Sequence, residues 1–261
     1  MTALLRIEGI CKAFGGVQAL NECGFEVEQG SIAGLIGPNG SGKTTLFNVI
    51  TGYERVDTGD VYLSDRKITN LPPDKVFALG IGRTFQLTRV FARLTVMENM
   101  IVAAHHKERA AAGARLRNPF ARAGGPATRR RAMELLEFTG IEKHADALAE
   151  TLSYGQRKLL ELSYVLMAEP EIILLDEPAG GVNPTLIGTI TDRIRELNKQ
   201  GTTFLIVEHN MDFVMGLCDR ITVLDYGNAV VSGPPEMIRS DHRVLDAYLG
   251  TAEGDDDASA A

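Results

Sequence analysis

The sequence contains no tryptophan, only three cysteines and no excess of positive charge. Cys11, Cys23 and Cys218 are odd in number and scattered, without the paired spacing of a zinc site or a redox motif. They read as ordinary thiols of a reducing compartment. With 27 Lys and Arg against 34 Asp and Glu, the formal charge is −7, which excludes a general nucleic-acid coat, since that needs a strong positive field. No window approaches the ~18 uninterrupted apolar residues that span a bilayer; runs such as Tyr164 to Ala168 and Ile172 to Leu175 are core-sized. The segment Met1-Thr-Ala-Leu-Leu-Arg-Ile-Glu8 lacks a basic region followed by a long apolar stretch and a cleavage site, so no signal peptide is expected and the expected location is the cytoplasm.

What is present suffices for a folded core. The 261 residues allow one large α/β domain or two small ones. A 44% hydrophobic content with moderate net charge excludes disorder for most of the chain. Alternating apolar residues at Leu5–Ile7 and Phe25–Val27, with Gly59–Leu63, predict half-buried strands of a small antiparallel sheet. Nearly continuous apolar runs at Ser31–Ile36, Ile172–Leu175, Phe204–Val207 and Ile221–Leu224 instead predict parallel strands covered on both faces. Helical patterns fall at Thr44–Thr51, about Ser153–Ala168 and Thr185–Gln200.

Residues 107–131 carry Lys107, Arg109, Arg115, Arg117, Arg122, Arg129, Arg130 and Arg131 against one acid, Glu108. This stretch reads either as a solvated surface insertion or as a basic surface facing membrane headgroups or an acidic partner. The last residues, 251–261, form a short acidic tail that is expected to be disordered.

Gly37-Pro-Asn-Gly-Ser-Gly-Lys-Thr44 fits the G-x-x-x-x-G-K-[ST] phosphate loop and sits between a predicted strand and a predicted helix, as that chemistry requires. Its glycines let successive N–H groups converge on phosphate oxygens at the positive end of a helix dipole. Lys43 would reach the β- and γ-phosphates and Thr44 would ligate Mg²⁺. The strand Ile172–Leu175 runs into Asp176 and Glu177. A buried parallel strand carries such residues to the carboxyl edge of its sheet, beside the phosphate loop. Asp176 is then a candidate Mg²⁺ ligand and Glu177 the candidate base that orients the attacking water. Pro178 is expected to stop the strand. His209 follows the strand Phe204–Val207 and is a candidate partner for the γ-phosphate or the water.

Further segments, Arg83-Thr-Phe-Gln86, Leu152-Ser-Tyr-Gly-Gln156 and Ala179-Gly-Gly-Val-Asn-Pro184, occur in order with the phosphate loop, the Asp-Glu strand and His209. From about Leu4 to Gly250 the chain thereby resembles the ATP-binding subunit of ABC transporters. Phe14-Gly-Gly-Val-Gln-Ala-Leu20, Ile81–Gln86, Phe91–Asn99, the Tyr-Gly-Gln signature, Gly-Val-Asn-Pro184 and Ala247-Tyr-Leu-Gly250 are similar to the ATPases of branched-chain amino-acid importers. Amide and urea importer ATPases share many of these features.

The resemblance implies an α/β fold: a P-loop NTPase (RecA-like) core with an antiparallel β subdomain and an inserted α-helical signature subdomain. It implies one ATPase domain over 4–250, with a helical part at about 87–168 that contains the basic insertion. It also implies that Phe14 stacks on adenine, and that Gly37, Asn39, Gly40, Ser41, Gly42, Lys43, Thr44 and Thr45 form the phosphate loop. Gln86 would touch Mg²⁺ and the water and report to the membrane subunits. Ser153, Gly155 and Gln156 would contact the γ-phosphate held by the opposite subunit. Two departures stand out: Tyr154 where glycine is commonest, its side chain expected to point away from nucleotide, and Asn183 where aspartate is commonest. Part of Leu87–Met100, with Val90, Phe91, Leu94, Val96 and Met97, reads either as core or as a groove for a coupling helix of the membrane subunit.

The implied function is an ATPase that energises an importer, with ATP and Mg²⁺ as cofactors. The implied partners are transmembrane permeases, a second ATPase subunit and, indirectly, a solute-binding protein, with no nucleic acid. The expected location is then peripheral, on the cytoplasmic face of the membrane. The competing classes are an exporter or lipid-extraction ATPase and a non-transport ATPase of translation or DNA repair. The latter usually has two cassettes in one chain or a long coiled coil, and the sequence contains neither.

Overall fold

The computed structural model describes residues 2–84, 90–112 and 124–244. Gln86, Leu87, the segment Ala247–Gly250, the acidic tail and the centre of the basic insertion lie outside the described residues. The chain begins with β1 (Ala3–Phe14), β2 (Val17–Glu28), β3 (Ile32–Ile36), α1 (Lys43–Ile50), β4 (Thr58–Leu63) and β5 (Arg66–Lys67). It continues through α2 (Pro73–Ala78), β6 (Ile81–Arg83), α3 (Val96–Ala112), α4 (Pro126–Thr139), α5 (Tyr154–Leu166), β7 (Ile172–Asp176) and α6 (Pro184–Lys199). The last elements are β8 (Thr203–Val207), α7 (Met211–Leu217), β9 (Arg220–Asp225), β10 (Asn228–Gly233) and α8 (Pro235–Ser240). They group into two compact units, residues 1–72 with 203–261, and residues 73–202.

In the first unit, β2, β1, β4 and β5 form the antiparallel sheet that the alternating pattern predicted. The strands β1 and β2 are twelve residues each, much longer than the Leu5–Ile7 and Phe25–Val27 windows. Register shifts along their pairing break the period-two alternation outside those windows. Phe14 pairs with Val17 across a two-residue turn, where Gly15 and Gly16 both have positive φ, as such a hairpin requires. Beside this sheet in sequence, β3 pairs in parallel with β8 and β9, and β10 adds antiparallel to β9. All five residues of β3 and of β8 are buried, which explains their unbroken apolar runs. The helix α1 buries Leu46, Phe47, Val49 and Ile50 on one face. Cys23 and Cys218 are buried, and burial pushes both thiols up to about 12, so they are inert at neutral pH.

In the second unit, β6 and β7 pair in parallel and the helices α3, α4, α5 and α6 accompany them. The helix α6 starts at Asn183, whose side-chain oxygen accepts from Leu186 N (2.9 Å), with Pro184 at the first helical position. Asparagine caps a helix as well as aspartate does, so the departure at 183 keeps that local function. Ile190, Ile194 and Leu197 form the buried stripe of α6, each contributing roughly 1.5–3 kcal/mol by leaving water.

The apolar segment leading into and opening α3 divides in a way the sequence left open. Val96, Met97 and Met100 are buried core residues, while Phe91 is 47% exposed and Leu94 is half-buried. Val96 and Met97 are therefore removed from the expected groove. Asn99, fully buried, fixes the chain there by accepting from Phe91 N (2.8 Å) and donating to the carbonyls of Phe91 and Thr95. Arg129, Arg130 and Arg131 open α4 on its exposed side.

Candidate functional site

In the first unit the turn from β3 to α1 carries the residues expected to form the phosphate loop. A Cβ on Gly37 would lie 2.0 Å from Leu224 O and one on Gly42 2.4 Å from Ala19 O, and both residues have positive φ. Only glycine fits at either position, because neighbouring backbone closes on the loop. The loop is held from below by Gly227 N, which donates to Ser41 O (3.0 Å). Gly42 caps α1 without a side chain, so the N–H groups of the first turn are offered to an anion. Lys43 Nζ donates to Gly37 O (2.8 Å), Pro38 O (2.7 Å) and Ser41 Oγ (3.3 Å), which curls the ammonium over the loop. Ser41 is buried, Asn39, Gly40 and Thr44 are exposed, and Thr45 is half-buried. The residues of the loop are thus brought together between β3 and α1.

Phe14 and His209 belong to the same unit. The Phe14 ring, at the tip of the β1–β2 hairpin, is 44% exposed, with the Lys12 ammonium 4.9 Å from its centroid. Asp57 fixes that tip by accepting from Ala13 N (2.7 Å) and pairing with Lys12 (3.4 Å). The exposed side chain of His209 follows the fully buried Glu208, whose carboxylate accepts from His209 N (3.0 Å) and Asn210 N (3.2 Å). Asn210 then caps α7 by accepting from Phe213 N. Glu208 was not singled out from the sequence; an acid directly after an apolar strand and before a histidine was its only signal.

In the second unit, Asp176 is the last residue of β7 and is buried. Its Oδ2 is paired with Arg83 Nη2 at 3.0 Å, both side chains being 6% exposed. Burial pushes the Asp176 carboxyl above its ordinary range, opposed by the hydrogen bond and charge of Arg83. The backbone is clasped by the next residue: Thr84 N donates to Leu174 O (3.0 Å) and Asp176 N to Thr84 Oγ1 (3.3 Å). Arg83 and Thr84, which precede Gln86 in sequence, are thus bonded to the acid and its strand.

Glu177 lies outside the strand, in a left-handed conformation with φ 49°. The strand therefore ends at Asp176, two residues before Pro178, and the turn at Glu177 rather than the proline stops it. The carbonyl of Glu177 accepts from Gly180 N (3.1 Å) and from the ammonium of Lys158, which also donates to Pro178 O (3.3 Å). Lys158 comes from α5, is 9% exposed and has its ammonium 5.4 Å from the Tyr154 ring centroid.

The signature residues open α5 as a capping box. Ser153 Oγ accepts from Gln156 N (3.2 Å) and Gln156 Oε1 from Ser153 N (2.9 Å), while Gln156 Nε2 meets His144 Nε2 at 3.0 Å. Gly155 is buried, and a Cβ there would lie 2.0 Å from Leu186 Cδ2. The structure thus gives Gly155 and Gln156 packing and capping roles that the resemblance did not imply. The Tyr154 ring turns back onto Gly181, where a Cβ would meet it at 3.2 Å. Among the described residues no cluster of three or more His, Cys, Asp or Glu could hold a metal by itself.

The family model described as ABC transporter matches residues 20–180, and that of the branched-chain amino acid ATP-binding cassette transporter matches residues 230–254. The chain is 39% identical over 251 residues to the high-affinity branched-chain amino acid transport ATP-binding protein LivG of Escherichia coli, covering 95% of this chain and 98% of that protein. It is 38% identical over 256 residues to a probable LivG of Archaeoglobus fulgidus, covering 97% of each. Among solved structures, it is similar to the ADP conformation of an ATP-binding cassette of an ABC transporter, with a TM-score of 0.84, 34% identity and coverage of 96% of this chain and 100% of that one. A match of this extent leads to one assignment: the chain belongs to the ABC transporter family as one of its ATP-binding cassettes, a P-loop ATPase of the branched-chain amino acid type.

Proposed function

We propose that this ATPase drives an importer of branched-chain amino acids, docked on permease subunits at the membrane and working as a pair of ATPase chains. The observation that carries the nucleotide reading is the loop at 37–44, where glycines under backbone pressure precede a helix without a side-chain cap. The solute class rests on the matched segment 230–254 and on the LivG relatives. No helix is long and apolar enough to cross a membrane among the described residues.

In this reading the amides of Gly40, Ser41, Gly42 and Thr45 and the Lys43 ammonium hold the phosphates, and Phe14 holds the adenine. The hydroxyl of Thr44 and the carboxylate of Asp176 are hard oxygen donors suited to Mg²⁺, with Gln86 as a further ligand. Bound Mg²⁺ would supply neutralisation of the phosphate charge. Glu177 orients and polarises the water, and His209 hydrogen-bonds the γ-phosphate or that water. Ser153 and the first turn of α5 serve the nucleotide of the opposite chain.

Ser153→Arg tests the two-chain part. Affinity for ATP in the isolated chain is expected to remain unchanged, because its phosphate loop is intact. ATP-dependent dimers in a Glu177→Gln background are expected to disappear, since a bulky side chain then stands at the shared surface. Equilibrium nucleotide binding and sedimentation measure both; loss of binding by the isolated chain would mean that the signature serves its own nucleotide.

A further inference from the structure

The bond between α5 and the turn after β7 gives the signature helix a second task. Lys158 lies one helical turn after Tyr154, so both side chains project from the same face. That face meets residues 177–181: the ammonium bonds the carbonyls of Glu177 and Pro178, and the Tyr154 ring covers Gly181. Glu177 meanwhile holds φ 49° with a side chain present, a conformation that is populated only where surroundings enforce it. A cation held in a nearly closed site and directed at a carbonyl is a strong enforcing bond.

We propose that Lys158 is a positioning residue that fixes the left-handed backbone of Glu177, so that the signature helix aims the water-directing carboxylate of its own chain. The proposal rests on the reading of Glu177 as the base. Lys158 touches no substrate in it; its effect passes through the orientation of one carboxylate. Since Ser153 caps the same helix, a movement of the signature segment reaches Glu177 through this bond.

The test uses the full chain with Lys158→Met, which keeps the stem and removes the ammonium. We expect kcat to fall about tenfold, the population shift set by the intrinsic cost of left-handed backbone. The KM for ATP should stay within about twofold, because a transition-state interaction alone is lost. In a Glu177→Gln background the same change should leave the residual single-turnover rate unaltered, as a residue acting only through the carboxylate must. A wild-type kcat for Lys158→Met, beside a Glu177→Gln variant that has lost hydrolysis, overturns the proposal. So does an equal further loss in the Glu177→Gln background. Normal hydrolysis by Glu177→Gln alone strikes instead at the assignment of the base. If Lys158→Met does not fold, Lys158→Gln, which retains a neutral donor, carries the same comparison; failure of both to fold assigns Lys158 to stability and overturns the proposal.

Discussion

Glu177→Gln is expected to lower ATP hydrolysis by roughly 10²–10⁴, the range for a lost general base, while nucleotide binding persists. The substitution conserves shape and leaves the backbone bonds from Lys158 and Gly180 to the Glu177 carbonyl in place. What it removes is the negative charge that polarises the attacking water. Phosphoryl transfer depends on positioning and charge stabilisation, so a neutral amide in the same place holds the water without activating it. Bound ATP then survives, and ATP-dependent dimers should accumulate in sedimentation. Single-turnover hydrolysis at the wild-type rate would remove Glu177 from the role of base.

Lys43→Ala is expected to reduce turnover by about 10²–10³, the usual cost of deleting one donor from a charge-stabilising cradle, and to weaken ATP binding as well. Lys43 donates to the carbonyls of Gly37 and Pro38 and to the hydroxyl of Ser41, all within its own loop. Alanine suits the first turn of α1, so folding should survive. The variant differs from Glu177→Gln in kind: one loses ground-state binding together with rate, the other loses rate alone. Binding isotherms beside turnover separate them. Unchanged turnover in a folded Lys43→Ala variant would contradict the phosphate-loop assignment.

The strands that form the centre of each pairing were legible because burial on both faces leaves a run of apolar residues with nothing to interrupt it, as in β3, β7 and β8. The loop at 37–44 was legible because its glycines and Lys43 fall within one short run of sequence, although the backbone that presses on Gly37 and Gly42 comes from the distant Leu224 and Ala19. The edges were harder to read. In β10 only Val231 and Gly233 are buried, too few to set a period, and β1 loses its alternation at the shifts between Ile7 and Lys12. Short helices such as α7 and α8 depend on caps and packing more than on a repeat of their own.

The acids Asp176 and Glu177 could be read from an apolar strand, yet the groups that hold them could not. Arg83 is 93 residues away in sequence from Asp176, and Lys158 is 19 from Glu177. Each pairing is created by the fold. Lys158 did carry a local signal, a lysine at the i+4 position from Tyr154 within a mostly buried stretch of α5, but a buried lysine names no partner until the turn after β7 is in view. The signature was legible as a motif, whereas its capping box shows that Ser153 and Gln156 are also bound to each other for helix stability.

Uptake of labelled leucine measures the central claim most directly, in cells from which the gene for this chain has been deleted and to which wild-type or Lys43→Ala protein is returned. Deletion should abolish high-affinity uptake, the wild-type chain should restore it, and the Lys43→Ala chain, present at the same level, should not. Undiminished leucine uptake in the deletion, or full restoration by Lys43→Ala, would contradict the account that ATP hydrolysis by this chain drives import of branched-chain amino acids.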